Sequence, residues 1–364
     1  MKILNLSLDN SILNKNSSSA KRIIEYGNLV EKYTVIVPNK ENKKISLSER
    51  VSIIGVDYSN KIVALFKIYK TAKKLLNKKK YSIITVQDQY YLALIGFILS
   101  KKFKIGLEIQ VHGFEKYYGL RKIIAKFVLP RANSIRVVSK RLKRQLINKF
   151  RVSEYKITVV PIYVNIENYN LEIKNYKIND KIIFLTVGRL VSVKNIKMQI
   201  NAIANIVKKI KSENLKVKNL ELWIVGDGKN SENLKNQSKE LKIEKNIKFF
   251  GWQNDLDKFY KQADVFLLTS NSEGWGMAVI EAGSYGLPII MTDVGCAGEV
   301  IKDDKSGIVI SVCDQKKLEE SMIRIIKDEN LRKKLGKNAQ QMIINLQSKK
   351  QILKLYKKSW EKSI

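Results

Sequence analysis

The residues of this chain best suited to chemistry are two carboxylates, Glu273 and Glu281, with a glycine-rich turn between them. The apolar run at 265–268 precedes the first carboxylate and is typical of a buried strand. Met277–Ser284 is predicted to be a helix, which Gly286 and Pro288 would end. The pattern therefore predicts that the first carboxylate lies on a strand-to-helix loop and the second about one turn into the helix.

The turn between the carboxylates is suited to an anion. The backbone N–H groups of Gly274, Gly276 and Met277 come at or just before the predicted helix N-terminus. Such a position offers unpaired donors and the positive end of the helix dipole. Carboxylates on either side could hold sugar hydroxyls, and a phosphate together with a polyol indicates a nucleotide sugar.

The elements that would position these residues are short apolar runs that alternate with helix-length stretches. In the first half the predicted strands are Ile3–Ser7, Thr34–Val37, Ser82–Thr85, Lys104–Val111, Ser134–Val138 and Ile157–Val160. In the second half they are Ile182–Val187, Leu220–Val225, Ile247–Phe250, Val265–Leu268, Ile289–Thr292 and Ile308–Val312. Strands separated by helices imply parallel sheets that are covered on both faces.

The length of 364 residues and the two sets of strands predict two α/β domains, each with a doubly wound, Rossmann-like sheet. We expect an N-terminal domain at 1–165, a linker at 166–180 and a C-terminal domain at 181–346. A last helix within 347–364 is expected to cross back to the N-terminal domain. Ligands of such sheets gather at the carboxyl ends of the strands, so the expected site is a cleft where the two domains face each other.

Arg189 and Lys194 follow the predicted strand at 182–187, and Gly188 allows a sharp turn there. Two fixed cations at this edge would neutralise a diphosphate and stabilise charge that develops on it as it leaves. A surface arginine after a glycine is the simpler alternative, and the position at the carboxyl end of a strand favours the site.

The only histidine, His112, follows the strand at 104–111 and therefore lies at the carboxyl end of a first-domain strand. A structural role is the alternative for a lone histidine, while Gly113 beside it permits close approach of the backbone to a ligand. Gly226 follows the strand at 220–225 at the matching edge of the second domain, and a simple turn explains it equally well.

Asp255 and Asp257 have the spacing of a metal-binding pair, but they precede a helical stretch at 256–262. Aspartates in that position are expected to be an N-cap and a first-turn charge. The sequence therefore predicts no metal site.

The net charge of +34 is concentrated in the first half, where residues 1–170 carry +22 against +12 in the remainder. Its densest part is Lys116–Arg151, in which basic residues stand beside apolar ones such as Ile123, Ile124 and Phe127. This pattern suits a surface that rests on anionic lipid. A generally lysine-rich composition is the alternative, and no recognised motif supports nucleic acid as a partner.

The two cysteines, Cys296 and Cys313, match no metal spacing and are expected to be reduced thiols. The start of the chain looks like a first strand rather than a signal peptide, and no apolar segment is long enough to span a bilayer. We therefore expect a cytoplasmic protein that associates with the cytosolic face of a membrane.

The motifs together resemble the retaining GT-B glycosyltransferases of family 4, the glycosyl group 1 transferases. The Glu-x7-Glu signature is Glu273 to Glu281, and a Gly-Arg-Leu…Lys element runs from Gly188 to Lys194. The turn at 225–228, the segment Phe250-Gly-Trp252 and the glycine loop at 292–299 match further family elements. In this order and spacing the motifs are highly specific, and the resemblance covers nearly the whole chain.

The resemblance implies a role for each residue of the site. Arg189 and Lys194 would hold the donor diphosphate with the N–H groups around Gly276 and Met277, Glu281 would bind the ribose, and Glu273 would bind the transferred sugar. His112 would contact that sugar near the reaction centre. Donor-binding positions by the same analogy are Gly226, Gly274, Trp252 and Ser18. The family retains anomeric configuration and normally needs neither metal nor cofactor.

This chain departs from the family at two places in the first half. The loop at 9–19 lacks the usual glycines, although Ser17–Ser19 could cap a helix and offer donors. The segment at 161–165 lacks the usual Asn-Gly after Pro161. Both changes lie in the expected acceptor-side domain or its hinge, so they concern the part of the resemblance that describes acceptor binding.

The resemblance implies transfer of a hexose or N-acetylhexosamine from a UDP or GDP donor. The acceptor would be lipid-linked or a cell-envelope glycan such as capsular polysaccharide, lipopolysaccharide or a glycoprotein glycan. Alternatives are a nucleotide-sugar epimerase or phosphorylase on the same scaffold, and a basic nucleic-acid-binding protein. Donor turnover without acceptor would favour the former, and salt-dependent oligonucleotide binding would favour the latter.

Overall fold

The computed structural model describes residues 1–114, 117–164, 181–213 and 219–364. The chain divides into two compact units, and the first consists of Met1–Pro161 together with Ser348–Ile364. The second is Ile162–Gln347. The linker predicted at 166–180 lies outside the described residues.

The first unit is built on an eight-stranded sheet. Its strands are β1 (Lys2–Leu6), β2 (Lys32–Asn39), β3 (Lys43–Ser46), β4 (Val51–Asp57), β5 (Ile83–Val86), β6 (Gly106–Val111), β7 (Ser134–Val137) and β8 (Ile157–Val159). Their order is β3-β4-β2-β1-β5-β6-β7-β8, and β3 alone among these strands runs antiparallel to its neighbour. The parallel strands are short apolar runs buried on both faces, as helices cover both sides of the sheet.

The helices of this unit are α1 (Ser18–Gly27), α2 (Lys61–Lys78), α3 (Tyr91–Phe103), α4 (Gly119–Val128), α5 (Lys140–Phe150) and α12 (Lys349–Glu361). Right-handed crossovers in one direction across a sheet place helices on the same face. Helices α2 to α5 therefore share one face, where α3 packs beside both α2 and α4. On the other face α1 meets α12, and the rings of Tyr26 and Tyr356 stack with centroids 4.2 Å apart.

A buried carboxylate anchors α12 to the first sheet. Glu108 on β6 is fully buried, and it accepts hydrogen bonds from Ser359 and, at 3.1 Å, from Nε1 of Trp360. Arg136 on β7 lies 3.5 Å from the same carboxylate, and its guanidinium lies 3.8 Å from the ring centre of Tyr356. Because both charges are out of water, each depends on these partners. The C-terminal segment is thus part of the core of the first unit.

The second unit contains a six-stranded sheet in which all strands are parallel. They are β9 (Lys181–Val187), β10 (Asn219–Val225), β11 (Ile247–Gly251), β12 (Val265–Leu268), β13 (Ile289–Thr292) and β14 (Ile308–Ile310), in the order β11-β10-β9-β12-β13-β14. The helices are α6 (Ile196–Glu213), α7 (Ser231–Glu240), α8 (Asp257–Gln262), α9 (Met277–Ser284), α10 (Gln315–Lys327) and α11 (Glu329–Ile344). The strand order reverses between β9 and β12, and such a switch point is where doubly wound sheets bind ligands.

The prediction of doubly wound α/β domains is confirmed, and α9 has the predicted bounds. The sequence reading missed β3 and β4, which lie between two predicted strands. Strand β6 begins at Gly106 rather than at Lys104, because Lys104 takes a left-handed conformation (φ 52°) and ends α3. Strand β14 ends at Ile310 rather than at Val312, where the chain turns toward α10.

Candidate functional site

Most of the predicted site residues of the second unit lie in the loops that follow β9 and β12, at the switch point of the sheet. Hydrogen bonds join the two loops: the N–H of Asn271 donates to the carbonyl of Val193 at 2.7 Å. The hydroxyl of Thr269 donates to the carbonyls of Lys194 and Asn195 at 3.2 and 3.1 Å. The position of each loop therefore depends on the other.

The structure brings Lys194 and Glu273 together. The ammonium of Lys194 forms an ion pair and a hydrogen bond with Oε1 of Glu273, and both side chains are largely shielded from water. The hydroxyl of Ser270 donates to the same oxygen at 2.7 Å. Since these contacts fall on Oε1, the second carboxylate oxygen remains for hydroxyl groups of a ligand.

The turn before α9 presents backbone donors. Gly276 is the N-cap with φ 93°, a conformation that favours glycine, and no side chain caps this helix. Among the described residues, the N–H groups of Met277 and Ala278 have no acceptor. Donors of this kind at the start of a helix form a site for an anion.

The loop at 292–299 packs against this turn. The N–H of Cys296 donates to the carbonyl of Trp275 at 2.8 Å. Gly295 (φ 55°) lies so close that a Cβ there would come within 2.5 Å of the same carbonyl oxygen and 3.0 Å of Cβ of Glu273. The family-like glycine loop at 292–299 thus helps to position the carboxylate.

Glu281 is partly buried on α9, and the hydroxyl of Tyr260 donates to its Oε2 at 2.8 Å. Burial raises the pKa of Glu281, and the bond from Tyr260 offsets part of that rise. Tyr260 stacks on Tyr285, with ring centroids 5.2 Å apart, and the hydroxyl of Tyr285 donates to Asp257. Sequence reasoning missed Tyr260, because an aromatic residue on a short helix is typical of the core.

Gly226 lies at a close contact between the loops that follow β9 and β10. Strands β9 and β10 pair so that Val187 lies opposite Val225, which places Gly188 beside Gly226. Gly226 has φ 130°, and a Cβ on it would lie 2.0 Å from the carbonyl oxygen of Gly188. The N–H of Gly188 donates to Val225 at 2.9 Å. Only glycine allows the loops after these strands to approach so closely.

Arg189 and Trp252 follow β9 and β11 at the same sheet edge, and both side chains are exposed. In the described part of the chain Arg189 has no ion-pair partner. The indole N–H of Trp252 donates to Asn254 at 3.3 Å. Both side chains are therefore accessible to a ligand at this edge.

Asp255 and Asp257 stabilise the first turn of α8, but the predicted N-cap role of one of them is wrong. The N-cap residue is Leu256 rather than Asp255, although the carboxylate of Asp255 accepts the N–H of Asp257 at 3.0 Å. Asp257 lies in the first turn as predicted and pairs with Lys261 at 2.5 Å. In the described ranges no group of three His, Cys, Asp or Glu side chains could hold a metal ion.

Two adjoining family models match the chain. Residues 169–342 match "Glycosyl transferases group 1", and residues 32–168 match "Glycosyltransferase Family 4". This chain belongs to the group 1 glycosyltransferases. The matched ranges contain every motif of the site that sequence analysis had singled out in the second unit.

Curated relatives of this glycosyltransferase include an Escherichia coli protein named UDP-Gal:alpha-D-GlcNAc-diphosphoundecaprenol alpha-1,3-galactosyltransferase. It is 27% identical over 289 residues, which cover 75% of this chain and 73% of that protein. The capsular polysaccharide biosynthesis glycosyltransferase CapM of Staphylococcus aureus is 29% identical, with 78% of each chain covered. These relatives act, by their names, on lipid-linked and cell-envelope glycans.

The fold of the glycosyltransferase is also that of solved GT-B structures. Sucrose-phosphate synthase from Thermosynechococcus elongatus superimposes with a TM-score of 0.76 at 19% identity. The match covers 97% of this chain and 96% of that one. At this identity the likeness shows the fold alone, which is a pair of parallel-sheet, Rossmann-like domains.

In the first unit of the glycosyltransferase, His112 directly follows β6 at the carboxyl edge of the sheet. Desolvation by the surrounding residues, and then the positive charges of Arg136 and Arg22, lower the pKa of His112 to about 4. The residue nevertheless keeps part of its surface exposed to solvent. It is therefore a neutral group at pH 7 that a ligand can reach.

The glycine-free loop of the first unit ends in a capped helix, as predicted. Ser17 is the N-cap of α1, and its hydroxyl accepts the N–H of Ala20 at 3.0 Å. Ser18 is the first residue of this helix and is exposed. Its role in donor binding stays a prediction. No described helix is both long and apolar enough to cross a membrane.

Proposed function

We propose that this glycosyltransferase transfers a hexose or N-acetylhexosamine from a UDP- or GDP-sugar, with retention of anomeric configuration. The observation that carries the proposal is the pairing of Lys194 with Glu273 beside the free N–H groups of α9. One small region thereby combines a cation, backbone donors and a carboxylate, which are the groups that a diphosphate and a sugar require.

In this proposal Arg189 and Lys194 bind the diphosphate together with the N–H groups at Gly276 and Met277. Glu281 accepts the ribose hydroxyls, and its bond to Tyr260 fixes the carboxylate for that purpose. Glu273 binds the transferred sugar through the oxygen that Lys194 and Ser270 leave open. His112, as a neutral imidazole, contacts the same sugar from the first unit.

The reaction breaks the bond between C1 of the sugar and the phosphate oxygen, and it forms a bond between C1 and the acceptor oxygen. The acceptor attacks from the face that the phosphate leaves, and its proton passes to the departing phosphate. Cations and N–H groups that hold the phosphate stabilise the charge that develops on it. We propose that they suffice without a metal ion.

The proposed acceptor is lipid-linked or part of a cell-envelope glycan. The Escherichia coli relative supports this choice, because its name gives alpha-D-GlcNAc-diphosphoundecaprenol as the acceptor. The basic segment Lys116–Arg151 would draw the enzyme to the anionic cytosolic face of the membrane. Exchange of Lys122 and Lys126 for glutamate should then reduce flotation with anionic vesicles. The same exchange at the exposed Lys334 and Lys337 of α11 is the control, and equal flotation of both variants would contradict membrane contact.

The donor is identified by a thermal-shift screen with UDP, GDP, ADP and their sugars, since a ligand of the native state raises the melting temperature. Turnover of the best donor is then compared in Glu273→Ala, Arg189→Ala and parent proteins. The control is Lys235→Ala, which removes an exposed ion pair on α7. Full activity of both site variants would refute the assigned roles.

Stereochemistry and metal dependence have separate readouts. NMR coupling at the anomeric proton of the first product reports retention, and an inverted product would contradict the proposed attack. Turnover in excess EDTA should equal turnover without it. Loss of activity that returns on adding a divalent cation would show that the site needs a metal.

A further inference from the structure

Helix α4 has two apolar stripes, and only one of them faces the protein. Ile124, Ala125 and Val128 are buried against the first sheet. The second stripe points to solvent and consists of Leu120, Ile123 and Phe127, which are 59%, 65% and 43% exposed. Positions three and seven apart along a helix share a face, so these side chains form one continuous apolar ridge.

Helix α2 adds a second exposed apolar patch on the same face of the sheet. Ile62 and Phe66, in its first two turns, are 80% and 55% exposed. Helices α2 and α4 each follow a parallel strand, so both begin at the carboxyl edge of the sheet. Ile62, Phe66 and Leu120 therefore lie toward the edge at which His112 lies, whereas Phe127 lies at the far end of α4.

The helices of this face carry charge of one sign, although two of their lysines pair with acidic residues outside them, Lys67 with Asp57 and Lys143 with Glu154. Helices α2, α3, α4 and α5 contain 16 lysine and arginine residues and no aspartate or glutamate. On α4, Lys122 and Lys126 lie beside the apolar ridge and are exposed. The helices of the opposite face differ, since α1 contains Glu25 and α12 contains Glu361.

Arg121 lies between the ridge and the sheet edge. Its guanidinium carbon lies 5.6 to 6.0 Å from the ring centres of Tyr90, Tyr91 and Tyr118, and no described residue forms an ion pair with it. Contacts with aromatic rings hold a guanidinium in place without neutralising its charge. Arg121 is thus a fixed cation at the point where an anionic head group would meet the apolar ridge.

We infer that the α4 ridge, with the first turns of α2, inserts into the interfacial region of a bilayer that contains anionic lipid. Lysines beside an apolar ridge suit the boundary between head groups and acyl chains. A binding surface for an acidic protein or nucleic acid would need the charge but not the three exposed apolar side chains. This inference rests on the proposed lipid-linked acceptor, because insertion here would bring the edge that bears His112 to the membrane surface.

The test separates apolar insertion from attraction by charge. Ile123→Ser with Phe127→Ser leaves the net charge unchanged, and the exposed Val312 and Ile344 of the second unit, both changed to serine, provide the matched control. Partition is measured by co-sedimentation with phosphatidylcholine vesicles that contain about 30% phosphatidylglycerol. We expect the α4 variant to bind about tenfold more weakly than the parent, and the control variant to bind as the parent does.

Two outcomes would overturn the inference. One is equal vesicle binding by the α4 variant and the parent, with all binding lost at high salt, since attraction by charge would then suffice. The other is a parent dimer in lipid-free solution that the α4 variant does not form, which would show that a second copy of the chain covers the ridge. Circular dichroism and melting of each variant confirm that it is folded.

Failure of the inference and failure of the proposed function have different signatures. Vesicle binding is measured without nucleotide, and the thermal shift produced by UDP or GDP is measured without vesicles. An α4 variant that keeps the nucleotide shift but loses vesicle binding supports insertion. A parent protein that binds vesicles but responds to no nucleotide retains the membrane surface and refutes the proposed donor site.

Discussion

The carboxyl edge of the second sheet and the outer helical face of the first sheet use cations in opposite ways. At the second-sheet edge Lys194 is paired with a carboxylate, and backbone hydrogen bonds fix the loops that position both groups. On the face formed by α2 to α5, many cations stand with no acidic residue in the same helices. The first arrangement suits one ligand in one orientation, whereas the second suits an extended, negatively charged surface.

The contrast extends to the helices of the two units. Every helix from α6 to α11 contains at least one acidic residue, although lysine is abundant in both halves of the chain. A lysine-rich composition alone would add charge to both units without removing acidic residues from one face. The absence of acidic residues from α2 to α5 is therefore a property of that face and favours a function for its charge.

The largest expected effect concerns charge in the core of the first unit. Glu108→Ala removes the partner of the buried Arg136 and three further hydrogen bonds. An uncompensated buried charge should lower the free energy of unfolding by about 3–5 kcal/mol. Hydrogen exchange should increase in β6, β7 and α12 but not in the second sheet. Glu31→Ala, at an exposed ion pair, is the control; equal protection in both variants would contradict the anchoring role.

Loss of the paired cation in the second unit should mainly affect turnover. Lys194→Ala removes positive charge from the proposed diphosphate site and leaves the carboxylate of Glu273 to repel the ligand. We expect kcat to fall about 10²- to 10³-fold, with little change in melting temperature. Lys194→Arg should recover part of the activity. A variant that loses stability in proportion to activity would instead assign the pair a structural role.

The close contact at Gly226 tests whether the second site depends on backbone position. Gly226→Ala forces a Cβ into the carbonyl of Gly188 and should reduce stability by about 2–3 kcal/mol, with weaker nucleotide binding. Gly251 also has a positive φ (64°) but has open space around it. Gly251→Ala therefore isolates the conformational cost of about 1 kcal/mol. Equal denaturation midpoints for the two variants would show that the contact is unimportant.

The smallest expected effect is at Tyr260. Tyr260→Phe keeps the stacked ring but removes the hydroxyl that donates to Glu281, so the KM for the donor should rise about three- to tenfold. Burial already raises the pKa of Glu281, and this hydroxyl lowers it. Donor affinity should therefore fall as pH decreases through that raised pKa, and in the variant the fall should begin at a higher pH.

Tyr285→Phe is the control for this pH profile, since its hydroxyl donates to Asp257 and not to Glu281. Its acid limb should match that of the parent. Identical acid limbs in all three proteins would show that the titration of Glu281 does not govern donor binding.

The sequence predicted the parts of the second site that local chemistry determines. Glycine and proline residues mark the two ends of α9, and an apolar run marks β12. The two carboxylates could therefore be assigned to a loop and to a helix. Lys194 was expected at the same edge as Gly276 and Met277, but its direct ion pair with Glu273 was not predicted, because their loops meet only through the order of β9 and β12. Tyr260 was missed for a different reason, since its ring has no feature that distinguishes it from a core residue.

In the first unit the apolar pattern of α4 left its orientation open. Ile123 and Ile124 are equally apolar, yet packing buries the second and exposes the first. Periodicity detects apolar positions but does not reveal which stripe the sheet covers. Strand β4 was missed although it is largely buried, and β3 beside it is a short edge strand of mostly exposed residues.

The anchoring of α12 by Glu108 has a consequence for the order of events during synthesis. The ribosome makes β6 and β7 early and Trp360 only after the whole second unit. The second unit can therefore complete its core without the C-terminal helix, whereas Glu108 and Arg136 in the first unit lack their last partners until that helix is available. A released chain that ends near residue 347 should contain a protease-resistant second unit and an unfinished first one.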